Sequence, residues 1–347
     1  MILGRSGTLQ LDLSVRFHRL PGVSGAAHYN HIIAHLRRTH ILDVVFEDGV
    51  VSPFSIQTSE LLNIRHLYAK GWNFGARPFL LSFGESPLET LYYETSGPFY
   101  GHFGVSTSRL RYCHIRQGHI DQHTAQLINK CSDLQVLELW GSTWGHDVLI
   151  SSSTLTHLDL HAWQELPFNG QLAQGLPNLL HLRLQVNRPF ESESPIHPPS
   201  WTPLPSLRSL SIEFGRASHQ RVSYGSHLIE ILRGAPRLVA LQIDEIDAPE
   251  VIEFIRTHRE EELGDGVVRK PVRLLLLMVD FQKAETRWGD LPNIAPLLCS
   301  QDCDARTEWR LQQCINPIKT GDIEVRRQVY GAASWCPLSV IADRFAD

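Results

Sequence analysis

His157, Asp159 and His161 alternate along one short stretch, and His114 and His181 hold matching places in similar stretches on either side. Neutral imidazoles and a carboxylate are a workable ligand set for a transition metal. Residues two apart on a strand lie about 6.5 Å from one another, however, so convergence on one ion would depend on neighbouring strands. Solvated histidines are the plainer expectation in a chain that has 18 of them. Cys299 and Cys303, with Cys314 and Cys336 further on, are a second candidate. Zinc sites favour tight Cys-x-x-Cys pairs, and this spacing is irregular. No metal and no cofactor are expected.

Nucleophilic chemistry has less to work with. The chain holds no Gly-x-Ser-x-Gly elbow, no phosphate loop ending in Lys-Ser/Thr and no His-Glu-x-x-His. The stretch GVSGAAH (22–28) lacks the spacing of a dinucleotide loop and reads as a connection between strand and helix. The run Arg259-Glu260-Glu261-Glu262 reads as a solvated helix end. An enzyme would need a site assembled from separate segments, which leaves no linear motif. Binding without catalysis is the expectation.

The alternation around His157 recurs. Leucine, two residues, leucine, one residue, leucine returns in LQVLEL (134–139), LTHLDL (155–160), LLHLRL (179–184), LRSLSI (207–212) and LVALQI (238–243). Looser copies are IRHLYA (64–69), LETLYY (88–93) and LRYCHI (110–115), with ILDVVF (41–46) and LQLDLS (9–14) looser still; VRLLLLMV (272–279) closes the series. The better copies begin at 64, 88, 110, 134, 155, 179, 207 and 238, so most steps fall between 21 and 28 residues. That is the period of leucine-rich repeats. Each repeat supplies a strand whose alternate leucines point inward, and stacking buries a face that no single repeat could bury.

Helices are expected on the return segments. HYNHIIAHLRR (28–38), HTAQLINKC (123–131), SHLIEILRG (226–234) and PEVIEFIRTH (249–258) carry apolar residues at helical spacing. Leu176-Pro177, Leu204-Pro205 and Ala235-Pro236 stand just before strands, where proline stops what precedes. The proline-rich stretch 190–205 reads as an extended loop. The fold class that follows is α/β, a leucine-rich-repeat solenoid with a curved parallel sheet on the concave face and helices and loops on the convex face. The solenoid is expected over residues 1–281. Residues 282–347 are expected to be a C-terminal cap, with one or two short helices in 282–314 followed by an irregular tail.

Composition narrows the partners. With 42% hydrophobic and 20% charged residues the chain has enough apolar side chains for a core. A net charge of -5 provides no cationic field for nucleic acid or anionic lipid, so neither is an expected partner. Nowhere do 18 consecutive apolar residues occur, and the start lacks a charged segment followed by an apolar run. A cytoplasmic or nuclear protein with reduced thiols is expected.

The repeats LPNLLHLRL and LPSLRSLSI, with the opening LGRSGTLQLDLSVRF (3–17), resemble the leucine-rich-repeat F-box-like proteins of mushroom-forming fungi. The likeness covers roughly residues 3–280. It implies a receptor that selects substrates for a cullin ubiquitin ligase, docking on the ligase adaptor through an N-terminal three-helix F-box. These residues contain no F-box segment, so an adaptor is an expected partner only if an F-box lies upstream. The alternative is a repeat-only scaffold unconnected to ubiquitination.

Outward positions on neighbouring strands compose the expected recognition surface. One row reads His66, Thr90, Tyr112, Val136, His157, His181, Ser209 and Ala240. The next reads Tyr68, Tyr92, His114, Glu138, Asp159, Arg183, Ser211 and Gln242. The third reads Lys70, Glu94, Arg116, Trp140, His161, Gln185, Glu213 and Asp244. Tyr, Trp and Arg carry much of the energy at interfaces. A protein partner is therefore expected on His66, Tyr68, Tyr92, Tyr112, His114, Arg116, Glu138, Trp140, His157, Asp159, His161, His181 and Arg183.

Overall fold

In a computed structural model of the chain, the described residues are 10–17, 35–36, 38–46, 55–56, 63–71, 80–81, 87–95, 109–144, 148–162, 175–186, 204–214, 225–244, 248–257, 262–263, 267–268, 274–279, 315–320 and 323–329. Two compact units, 1–167 and 168–347, make up the chain.

In the first unit each repeat forms one strand of a sheet: β1 (Leu11–Phe17), β2 (Thr39–Phe46), β4 (His66–Gly71), β6 (Thr90–Thr95), β7 (Tyr112–Ile120), β8 (Val136–Trp144) and β9 (His157–Ala162). They lie side by side in that order, and every pairing is parallel. Two short strands, β3 (Ser55–Ile56) and β5 (Leu80–Leu81), pair apart from this sheet. The architecture is an α/β repeat solenoid.

The leucine spacing explains the register. The first apolar residue of each repeat, Ile64, Leu88, Leu110, Leu134 and Leu155, is fully buried just ahead of its strand. The next two inward positions, such as Leu137 and Leu139 or Leu158 and Leu160, are buried as well. Each fully buried leucine side chain stabilises the stack by about 1.5–3 kcal/mol. Since side chains alternate with period two, slipping one strand by a residue would turn its leucines to the outer face. The backbone adds a ladder at the same height: the N–H groups of Glu89 and Thr90 share the Arg65 carbonyl, those of Arg111 and Tyr112 share Glu89, and those of Gln135 and Val136 share Arg111.

Helix α1 (Gln122–Asn129) starts at Asp121, whose carboxylate accepts from the Thr124 N–H at 2.8 Å, and it buries Thr124, Ala125, Leu127 and Ile128. Its amide side chains hold the following segment. Asn129 Oδ1 accepts from the Ser151 N–H at 2.8 Å, and Asn129 Nδ2 donates to the Leu149 carbonyl at 2.9 Å. The expected helix at 28–38 is described at His35 and Leu36, which are helical, and at Arg38, which is in a turn.

In the second unit β10 (His181–Val186), β11 (Ser209–Phe214), β12 (Ala240–Asp244), β15 (Leu274–Val279) and β17 (Ile323–Val329) pair parallel in that order, and β16 (Ile315–Thr320) pairs antiparallel with β17. Short β13 (Glu262–Leu263) and β14 (Val267–Val268) form a separate antiparallel pair. Helices α2 (Gly225–Arg233) and α3 (Ala248–Thr257) pack on each other, with the Arg233 guanidinium 5.8 Å from the Phe254 ring centroid. The prolines do more than stop an element. Leu176, Leu204 and Ala235 each accept a hydrogen bond from the backbone N–H three residues on, which puts Pro177, Pro205 and Pro236 second in a turn that delivers the first leucine. Residues 282–314, expected to hold short helices, lie outside the described residues, as do Cys299, Cys303 and Cys314. After them, where an irregular tail was expected, stand β16 and β17.

Candidate functional site

The first unit's registers align the outward residues in three rows. Ile41, His66, Thr90, Tyr112, Val136 and His157 form one, and Asp43, Tyr68, Tyr92, His114, Glu138 and Asp159 the second. Val45, Lys70, Glu94, Arg116, Trp140 and His161 form the third. Neighbouring strands then bring these side chains into contact.

Glu138 anchors the centre. Its Oε2 lies 2.7 Å from His114 Nδ1, with both side chains buried, and the Tyr112 phenol hydrogen-bonds the same carboxylate. Burial first, then the Glu138 charge and this bond, push the Tyr112 phenol far above its ordinary pKa. With Nδ1 engaged by Glu138, Nε2 is the ring nitrogen left for another partner. A carboxylate-oriented imidazole is a general base where Nε2 meets a substrate. Here Nε2 is buried and, like Trp140 Nε1, without a hydrogen-bond partner among the described residues. The dyad ties β7 to β8 across the face.

Rings continue outward from this centre. Tyr92 stacks on His114 with centroids 4.2 Å apart and planes 6° from parallel. Tyr68 lies 6.3 Å beyond Tyr92, and Trp140 sits 5.9 Å from His114 and 4.4 Å from His161. Five rings on five successive strands thus touch in series. Only Tyr92 and His114 lie face to face; the other pairs are inclined by 33°, 46° and 58°. Tyr68, at 39% exposure, is the most open large apolar side chain of the described residues.

Charge collects beside the rings. Glu94 is buried, yet Lys70 Nζ lies 2.9 Å and Arg116 3.1 Å from its two oxygens, and the Tyr92 hydroxyl donates at 3.0 Å. Burial works to raise the Glu94 pKa. The bonds from Lys70 and Tyr92 and the two positive charges outweigh it and hold the carboxyl below its ordinary value. Burial, then Glu94, pushes the Tyr92 phenol up to about 12. The Arg116 guanidinium lies 5.3 Å from the Trp140 ring centroid, a cation–π arrangement.

The residues expected on the face separate by accessibility. Tyr68 is exposed, and His66, Tyr92, Tyr112, Arg116, Trp140, His157 and Asp159 are partly accessible. His114, Glu138 and His161 are buried within the face. His66 Nδ1 meets Thr90 Oγ1 at 3.1 Å, and His157 Nδ1 meets Thr156 Oγ1 at 2.9 Å. In the second unit Arg183 is partly accessible, whereas His181 is buried with its Nδ1 2.8 Å from Ser209 Oγ. Ser209, Ser211, Ala240 and Gln242 beside it are buried too. Among the described residues no group of three His, Cys, Asp or Glu side chains could hold a metal ion, and no helix is long and apolar enough to cross a membrane.

Sequence reasoning placed Lys70 and Glu94 in a row without singling them out, and it passed over Asp43 and Arg16. Extending the rows through the two loosest copies would not have found Arg16. The alignment at 9–14 turns residues 11, 13 and 15 outward, whereas the register turns Asp12, Ser14 and Arg16 outward and sets Asp43 in the second row rather than the first. No family model matches the chain, and no curated protein or solved structure matches it either.

Proposed function

We propose that the chain is a non-enzymatic binding module that takes a protein partner on the outward face of the first unit's sheet. The observation that carries this reading is the accessible side of a pinned aromatic and charged face: Tyr68 is open, while the buried Glu138 and Glu94 fix His114, Tyr92, Lys70 and Arg116 from beneath. A surface ordered before binding loses little side-chain entropy on association. The narrower role implied by the family likeness is substrate recognition for a cullin ubiquitin ligase in the cytoplasm or nucleus. That role rests on the sequence motifs alone, and a repeat-only scaffold uses the same face.

A photo-crosslinking amino acid placed at Tyr68, and separately at exposed Asp133 away from the outward rows, tests the proposal in an extract of cells that express the protein. Position 68 should capture a defined protein that position 133 does not. Equal capture from both positions would overturn the assignment of the face, and recovery of the cullin adaptor would favour the ligase role.

A further inference from the structure

We infer that the first unit's face seats an extended acidic segment of its protein partner, laid across the strands with a carboxylate side chain at every third residue. This deepens the binding-module reading and rests on it. The third row begins two strands earlier than the ring series: Arg16 pairs with Val45, Val45 with Lys70, Lys70 with Glu94 and Glu94 with Arg116. Cations therefore recur on every second strand, at β1, β4 and β7. With neighbouring strands roughly 4.8 Å apart, the three cationic positions repeat at about 9.6 Å.

Glu94 is the only carboxylate among these five residues, so the row carries three positive charges against one negative, a net +2. Bridging Lys70 and Arg116, Glu94 holds both heads in fixed places while neutralising one charge. The cations remain accessible: Arg16 is exposed, and the Lys70 and Arg116 side chains are 44% and 37% exposed.

A chain in the polyproline II conformation turns once every three residues and rises roughly 3.1 Å per residue, so every third side chain returns to one side at about 9.3 Å. Across the two intervals from Arg16 to Arg116 the mismatch accumulates to only about 0.6 Å, well within the reach of flexible arginine and lysine heads. Asp43 and Asp159, partly accessible in the adjoining row, disfavour a polymer charged at every unit, such as single-stranded RNA. Carboxylates spaced three residues apart avoid them.

The test is fluorescence anisotropy with the full chain at low salt, using a labelled peptide of repeated Glu-Pro-Pro triplets. Peptides of repeated Glu-Pro, repeated Lys-Pro-Pro and a single-stranded RNA oligomer serve as comparisons. The Glu-Pro-Pro peptide should bind saturably and more tightly than all three, with affinity falling as salt screens the contacts. Arg16→Gln and Lys70→Gln should each weaken it roughly two- to fivefold, as expected for exposed ion pairs. Arg16 is exposed on the first strand, so its substitution keeps the test valid should Lys70→Gln perturb Glu94. Absence of saturable binding, equal affinity for the Glu-Pro spacing, tighter RNA binding, or indifference to both substitutions would overturn the inference. Specific crosslinking from Tyr68 together with any of these results would leave the binding-module reading standing and remove only the acidic segment.

Discussion

Removing the Glu138 carboxylate tests the buried centre of the face most directly. In Glu138→Ala, His114 Nδ1–H and the Tyr112 hydroxyl both lose their acceptor inside the protein. The His114 and Glu138 side chains are only 5% and 6% exposed, so water does not replace the bond lost by His114. A buried donor left unsatisfied costs about 1–3 kcal/mol. For a unit the size of residues 1–167, each kcal/mol lowers the melting temperature by roughly 2–4 °C. The first unit's transition should therefore fall by roughly 2–12 °C in differential scanning calorimetry. Glu138→Gln should cost only about 1 kcal/mol, because the amide still accepts from Tyr112 and its NH2 can donate to His114 in the other tautomer. A Glu138→Ala shift below about 2 °C would mean that the pair is solvated and that the face is not pinned as argued.

Tyr92, with its phenol raised to about 12, ties stability to alkaline pH. The unfolded chain releases this proton near its ordinary value of 10.0 and the folded chain only later, so stability is intact below pH 10 and lost as pH rises toward 12. Tyr92→Phe should flatten that fall in urea titrations across this range, and an unchanged slope would contradict the assignment. Glu94, held below 4.5, has the opposite sign. Its contribution is present above that pH and is lost as pH falls through the folded value, so Glu94→Gln should be less acid-sensitive than the parent chain in the same assay. Leu137→Ala, at a fully buried inward position, should cost about 2–5 kcal/mol by chemical denaturation; a loss under about 1 kcal/mol would place Leu137 outside the core. Cys113 and Cys131 are buried free thiols, and burial foremost raises the Cys113 thiol well above its ordinary pKa. In the folded chain their peptides should stay unlabelled by a thiol reagent and become labelled on unfolding, as read by mass spectrometry.

The pattern of leucines at 134, 137 and 139 and its counterparts was enough to determine the strands, their parallel stacking and which side chains face inward. The reason is local: a period of two within each strand and a step near 24 residues between most strands leave one register that buries the three apolar positions of each copy from 64 to 243, whereas the looser copy at 9–14 is out of step with its strand. The same spacing aligned Tyr68, Tyr92, His114, Glu138 and Asp159 in one row. It could not distinguish the members of a row by burial. That His114 and Glu138 are buried while Tyr68 is open depends on which neighbours lean over which, and on a hydrogen bond made across strands 24 residues apart in sequence. His181 holds the same kind of outward position as His157, yet one is buried and the other partly accessible. Strands β16 and β17 carry no leucine repeat, so only tertiary pairing with β15 brought them into the sheet. The sequence by itself determined the scaffold, because burying a periodic apolar face is a one-dimensional problem. Only the tertiary structure decided which polar residues are beams and which are surface, because that depends on side chains meeting across strands.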